Sequence, residues 1–133
     1  MCSSDLLYPS LKEKVGGWLE STGAVMTGGD YALVKSVESF EDYAAFGYRQ
    51  MAERNLTADD TVVAISEGGE TSSVIGTIHA GLDAGAQTHF LFNNPAPLMA
   101  ERIVRSREVI ENGAVNVIDL TTGPMGIAGS TRM

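Results

Sequence analysis

Thr61-Val-Val-Ala-Ile-Ser-Glu-Gly-Gly-Glu-Thr-Ser-Ser73, running on into Val74-Ile-Gly-Thr-Ile-His-Ala-Gly-Leu-Asp83, is the stretch that decides the fold. Thr61 to Ser66 is a short, continuous apolar run, which suits a strand buried on both faces. A glycine loop follows. From about Ser72 to Asp83 the apolar residues Val74, Ile75, Ile78 and Leu82 fall on one helical face. Strand, glycine turn and amphipathic helix in that order make the first half of a βαβ unit.

Working outward, Gly85 ends the helix and Thr88-His-Phe-Leu-Phe92 reads as the next strand. Asn93-Asn-Pro-Ala-Pro97 turns into a helix from about Leu98 to Glu111, and Ala114-Val-Asn-Val-Ile-Asp-Leu120 is a further strand. Upstream, Ala24 to Thr27 reads as a short strand closed by Gly28 and Gly29. Asp30 stands at an N-cap position, and Tyr31 to about Arg54 is rich in helix formers, with a break expected near Phe46-Gly47. Leu56-Thr-Ala-Asp-Asp60 is a polar connector. Strands alternating with crossover-length helices predict an α/β fold, a doubly wound parallel sheet in a flavodoxin-like three-layer sandwich. Four strands at most are visible, which is few for such a sheet.

Composition narrows the function classes. The 133 residues make one domain, 44% hydrophobic and 20% charged, as in ordinary globular proteins. Nine basic against seventeen acidic residues give a net charge of −8, which argues against a nucleic-acid or anionic-membrane partner. No apolar run approaches the ~18 residues of a membrane span, and no secretion signal is visible. A single cysteine forbids a disulfide framework and makes a reducing, cytoplasmic setting the default. Only Cys2, His79 and His89 could offer soft or nitrogen ligands, so no metal site is expected. Met1-Cys2-Ser3-Ser4-Asp5-Leu6 reads as a non-native leader, and Gly129-Ser-Thr-Arg-Met133 as a loop entering a helix. The expectation is a partial domain over residues 7–133, truncated at both ends.

Ligands of open parallel sheets bind beyond the carboxyl ends of the strands, and three segments belong there. The first is Ser66-Glu-Gly-Gly-Glu-Thr-Ser-Ser73, where glycines, a helix N-terminus and the hydroxyls of Ser66, Thr71, Ser72 and Ser73 suit an oxyanion. It is neither a Walker loop nor a dinucleotide fingerprint, and alone it reads more readily as a capped βα turn. Glu67 and Glu70 would repel phosphate unless they face sugar hydroxyls. The second is Gly28-Gly29-Asp30 with Glu38, Glu41 and Asp42, whose i,i+3 and i,i+4 spacing places the carboxylates on one helical face. Crowded carboxylates can serve as acid and base, although such a run is more often a solvated face. The third is Thr121-Thr-Gly-Pro-Met-Gly-Ile-Ala-Gly-Ser-Thr131, rich in glycines and hydroxyls. His79 reads as a core-edge histidine, His89 has no evident partner, and Arg102, Arg105 and Arg107 read as the wet face of a helix whose apolar side holds Leu98, Met99, Ile103 and Ile110. Asn55-Leu-Thr57 matches a glycosylation sequon and carries no weight without a secretion signal.

Together these segments resemble a sugar isomerase (SIS) domain, in the branch of the N-acetylmuramic acid 6-phosphate etherases and glucokinase regulatory protein. The resemblance runs from about Ala24 to Met133. Gly28-Gly-Asp-Tyr31 with Val37-Glu-x-x-Glu-Asp42 resembles the etherase segment that carries a catalytic glutamate, at the position of Glu41. Asn55-Leu-Thr-Ala-Asp-Asp60 also resembles the etherases. Ile65-Ser-Glu-Gly-Gly-Glu-Thr71 sits where the family has its Ser-x-Ser-Gly-x-Thr sugar-phosphate loop, and Gly123-Pro124 with Gly129-Ser-Thr-Arg-Met133 resembles the family's most distinctive signature. Two departures stand out. The loop's second serine is Gly68 here, and the family's first strand and its other catalytic glutamate have no counterpart in the chain.

The resemblance implies a lyase acting on a 6-phosphorylated amino sugar that carries a lactyl ether. Glu41 would serve as acid or base, and Ser66, Gly68, Gly69, Thr71, Ser72, Gly129, Ser130 and Thr131 would hold the sugar phosphate. No metal or redox cofactor is needed, and the full-length protein is expected to be a homodimer. Two other readings stay open: a phosphosugar-sensing regulatory domain without turnover, and an aldose–ketose isomerase.

Overall fold

The computed structural model describes residues 22–29, 34–35 and 40–123. The expectations placed on Asp30, Glu38, Pro124, Gly129, Ser130, Thr131 and the leader lie outside the described residues. Among the described residues, a 3-10 turn (Phe40–Asp42) leads to α1 (Ala44–Ala52). Then come β1 (Thr61–Ile65), α2 (Ser72–Asp83), β2 (Gln87–Phe92), α3 (Ala96–Arg102), α4 (Val104–Ile110) and β3 (Val115–Asp119). The three strands form one parallel sheet in the order β1-β2-β3, with Ile65 beside Leu91 and Leu91 beside Ile118. This is the expected α/β fold, a parallel sheet flanked by helices, consistent with a doubly wound SIS-type architecture.

Why the core lies on one side follows from the strand order. Two right-handed crossovers that advance in the same direction put their helices on the same face of the sheet. Ala64, Phe90, Phe92 and Val115 therefore meet Ile75 and Ile78 of α2, Met99 of α3 and Val109 of α4 in one cluster. The rings of Phe90 and Phe92, two residues apart and so on the same face, stand 4.7 Å apart in a tilted pair. The continuous apolar run of β1 had suggested burial on both faces. The structure corrects this: Val62 and Ala64 are buried, while Val63 and Ile65 are 54% and 67% exposed.

Local chemistry sets the helix ends. Gly85 takes a left-handed φ of 74°, its amide bonds the Leu82 carbonyl, and the Ala86 amide bonds Gly81, closing α2 with a Schellman turn. The Leu56–Asp60 connector is pinned by Asp60, which accepts from the Thr57 amide (2.8 Å) and hydroxyl (2.9 Å). The single helix expected from Leu98 to Glu111 is two. Ile103 is extended (φ −119°, ψ 106°), and the Arg107 guanidinium bonds the carbonyls of Ala100 and Glu101 that the break leaves free. Residues 24–27 form no strand. They enter a turn closed by the Gly29 amide on Met26 (2.9 Å), and Gln50 of α1 also donates to the Met26 carbonyl.

Gly47 does not break the helix either. It lies inside α1, where a Cβ would stand 1.8 Å from the Ser73 carbonyl oxygen, and a Cβ on Gly76 of α2 would stand 1.9 Å from that of Ala44. The two helices touch backbone to backbone, and Tyr48 ties them again by donating to Asp83 at 2.8 Å. Gly76→Ala should lower stability by about 1–3 kcal/mol, since the overlap outweighs the ~1 kcal/mol that alanine gains in helix propensity. Urea denaturation of the two proteins measures this. A variant more stable than the parent would show that α1 does not dock at this distance.

Candidate sugar-phosphate site

Between β1 and α2 the chain makes a tight loop at the carboxyl edge of the sheet. Ser66 still joins the ladder, its amide bonding Leu91 at 3.0 Å, and its side chain is buried at the start of the loop. Its hydroxyl accepts from the Gly69 amide (3.1 Å) and pairs with the Thr71 hydroxyl (3.0 Å). Gly69 has a φ of +78°, and a Cβ there would lie 2.8 Å from the Phe92 ring, so only glycine fits. Gly68 differs. A Cβ would meet nothing closer than 3.7 Å, so its side is open to a larger residue.

Three consecutive carbonyls of this loop are taken by side chains from the next crossover. Asn94 donates to Gly68 (3.0 Å), Ser106 to Gly69 (2.7 Å) and Arg105 to Glu70 (2.6 Å). Ser106 is fully buried. Within a peptide unit the C=O and the next N–H point opposite ways. The amides of Glu70 and Thr71 therefore face away from α4, and neither makes a hydrogen bond among the described residues. Thr71 is the N-cap of α2 but makes no side-chain cap, because its hydroxyl is engaged by Ser66. The result is a cluster of backbone donors at the start of a twelve-residue helix, with Ser72 half-buried beside it.

Two of the three segments expected at this edge meet directly. Thr27, at the turn through Gly28 and Gly29 (φ 89° and 68°), shares a 2.9 Å hydrogen bond with Ser73 in the first turn of α2. Glu41 lies in the exposed 3-10 turn, which packs against α2 and α1 and is anchored by Phe40 on Phe46, rings 5.1 Å apart. Glu41 and Asp42 thus sit on a short turn rather than along a long helix face. Of the third segment, Thr121 to Gly123 are described and exposed beyond β3.

Sequence reasoning missed several of these roles. Arg105 and Arg107, read as solvated, both bind backbone carbonyls. His89 does have a partner, with its Nδ1 2.8 Å from the Asn116 amide nitrogen. Leu98, placed on the apolar side, is 39% exposed. Asp119 went unnoticed although it organises the edge. Among the described residues no group of three His, Cys, Asp or Glu side chains comes together as a metal site, and no helix is long and apolar enough to cross a membrane.

No protein-family profile matches the chain. Curated relatives do. The similarity is to N-acetylmuramic acid 6-phosphate etherases. The chain is 35% identical to etherase 1 of Bacillus licheniformis and 40% identical to the Nostoc punctiforme etherase, each over 114 residues, 86% of the chain. It is 34% identical to the Bacteroides fragilis etherase over 110 residues, 82% of the chain. The matched stretch is 34%, 33% and 35% of those proteins, so the chain spans about a third of the length of the relatives it matches.

Asp119 accepts from the Thr121 hydroxyl, from the Thr121 amide (2.8 Å) and from the Ala96 amide at the start of α3 (2.9 Å). The bond from the Thr121 hydroxyl, followed by those from Ala96 and the Thr121 amide, holds its carboxyl below the usual range. A depressed carboxyl stabilises the fold above its ordinary value of about 4 and loses that contribution as pH falls through the folded value. Asp119→Asn should therefore flatten the decline in stability below about pH 4. Melting curves from pH 7 to pH 2 on both proteins check this, and parallel curves would contradict it.

Proposed function

We propose that this chain is part of an etherase-like lyase acting on N-acetylmuramic acid 6-phosphate or a closely related amino-sugar phosphate. The observation that carries the reading is the loop of residues 66–71, whose Glu70 and Thr71 amides, unbonded among the described residues, and adjoining hydroxyls open onto the N-terminus of α2. Such a nest of donors binds an oxyanion without needing a lysine or arginine. The similarity to etherases over most of the chain supports a sugar 6-phosphate as the source of that oxyanion. The relatives named above are all etherases, and none is a regulator.

In this reading the Glu70 and Thr71 amides with the Thr71 and Ser72 hydroxyls hold the phosphate and fix the register of the sugar. Gly68 leaves it room, and Ser66 and Gly69 shape the loop behind it through the bond of the Gly69 amide to the Ser66 hydroxyl. Gly129, Ser130 and Thr131, outside the described residues, are assigned to binding of the same sugar phosphate. The reaction removes the proton at C2 of the open-chain sugar, expels lactate from C3 as its oxygen gains a proton, and then adds water. It needs a base at C2 and an acid at the departing oxygen. Glu41 is assigned one of these tasks, on a turn that packs on the same helix as the loop. A fixed phosphate keeps the reacting bond within reach of the carboxylate.

Three substitutions test this reading in the full-length protein. Hexosamine 6-phosphates should raise the melting temperature and the unphosphorylated sugars should not, and Thr71→Val should shrink that shift by removing a hydroxyl. Equal stabilisation by phosphorylated and free sugars would refute the phosphate assignment. Gly68→Ser should fit without strain and tighten 6-phosphate binding about 3- to 10-fold, one added hydrogen bond. Glu41→Gln should lower lactate release by ~10²–10⁴ with binding largely kept, the loss expected of general acid–base catalysis. Unchanged release would mean that another residue transfers the proton.

A further inference from the structure

The phosphate loop does not hold itself in shape. Apart from the Ser66 hydroxyl and the Asn93 amide on the Glu67 carbonyl, its bonds come from side chains 26 to 37 positions further along the chain: Asn94 on Gly68, Ser106 on Gly69 and Arg105 on Glu70. We propose that Asn94, Arg105 and Ser106 are positioning residues that orient the peptide planes of residues 68–71 and so create the anion nest. This rests on the phosphate-binding reading of the loop and names what makes that loop competent.

Peptide geometry supplies the reason. Each side chain captures a carbonyl, and each captured carbonyl turns the following amide to the opposite side. Asn94 on the Gly68 carbonyl turns the Gly69 amide toward Ser66, where a 3.1 Å bond is found. By the same rule Ser106 and Arg105 turn the Glu70 and Thr71 amides outward, where no bond is found among the described residues. Glycine at position 69 would otherwise let the loop visit many conformations, since glycine has the least restricted backbone. Without the three donors a carbonyl oxygen can flip into the nest and repel the phosphate. Ser106 is the strongest of the three because it is fully buried and has no water to compete for its bond.

The full-length protein, labelled with 15N, is titrated with glucosamine 6-phosphate and with glucosamine. In the wild type the Glu70 and Thr71 amide resonances should move with the phosphorylated sugar alone. Ser106→Ala and Asn94→Ala should each weaken 6-phosphate binding about 3- to 10-fold and diminish the movement of those two amides. Val109→Ala provides the control. Val109 is equally buried on the same helix, so its truncation lowers stability, but it bonds nothing in the loop and should leave affinity within about 2-fold. Wild-type affinity in both Ser106→Ala and Asn94→Ala, or an equal loss in Val109→Ala, would overturn the positioning role while leaving the phosphate reading intact. A wild type that responds equally to both sugars would overturn the phosphate reading and this inference with it.

Discussion

The contact of the Gly69 backbone with the Phe92 ring is the constraint on which the site depends. The space for a side chain at Gly69 is already filled, 2.8 Å away, by the aromatic ring at the end of β2. Phe92 in turn is almost fully buried against Phe90 and the helices. The loop is thereby seated on the core rather than standing in solvent. From that seat the Gly69 amide reaches Ser66, the Gly69 carbonyl reaches Ser106, and Thr71 starts α2 with its hydroxyl turned back to Ser66. A surface loop of the same composition would have to lose conformational entropy on meeting a ligand; here that loss is absorbed by folding.

A second close approach brings the acidic turn to the same helix. α1 and α2 meet at Gly47 and Gly76 so tightly that carbonyl oxygens occupy the space of the missing Cβ atoms. The approach positions the turn bearing Glu41 on α2, while Thr27 reaches Ser73 from the segment before it. α2 thus carries the loop at its N-terminus and the acidic turn on its flank. Motions of one relative to the other would require repacking a contact between backbones, which has no rotamers to yield.

What could be read from the sequence followed from periodicity. α2 was legible to the residue because Val74, Ile75, Ile78 and Leu82 repeat at helical spacing between a glycine loop and Gly85. β1, β2 and β3 were legible as short apolar runs, and the loop between β1 and α2 as a place for an oxyanion. Exposure on the outer face of β1 was not, because a run such as Thr61-Val-Val-Ala-Ile65 looks the same whether one or two faces are covered. Glycine carries the same ambiguity. Gly47 could break a helix or admit a neighbour, Gly68 and Gly69 are indistinguishable as letters, and only packing tells them apart. The carbonyl-binding roles of Asn94, Arg105 and Ser106 left no local trace at all, since their partners lie far away along the chain.

Under the proposed phosphate reading, net charge and site chemistry pull in opposite directions in this chain, and the loop would resolve the conflict. A protein of charge −8, with Glu67 and Glu70 inside the loop itself, is a poor long-range attractor for a phosphate. Surface charges are screened over roughly 8 Å at physiological salt, so what decides binding is the field within the first shell of donors. There the contribution comes from oriented amides and hydroxyls, which carry no net charge to be screened. Arg105 fits the same scheme. Its Nε bonds the Glu70 carbonyl, so a cation beside the loop serves first to aim a peptide. Affinity built this way depends on the direction of dipoles rather than on the number of charges, which is why the side chains that set direction matter as much as those that touch the ligand.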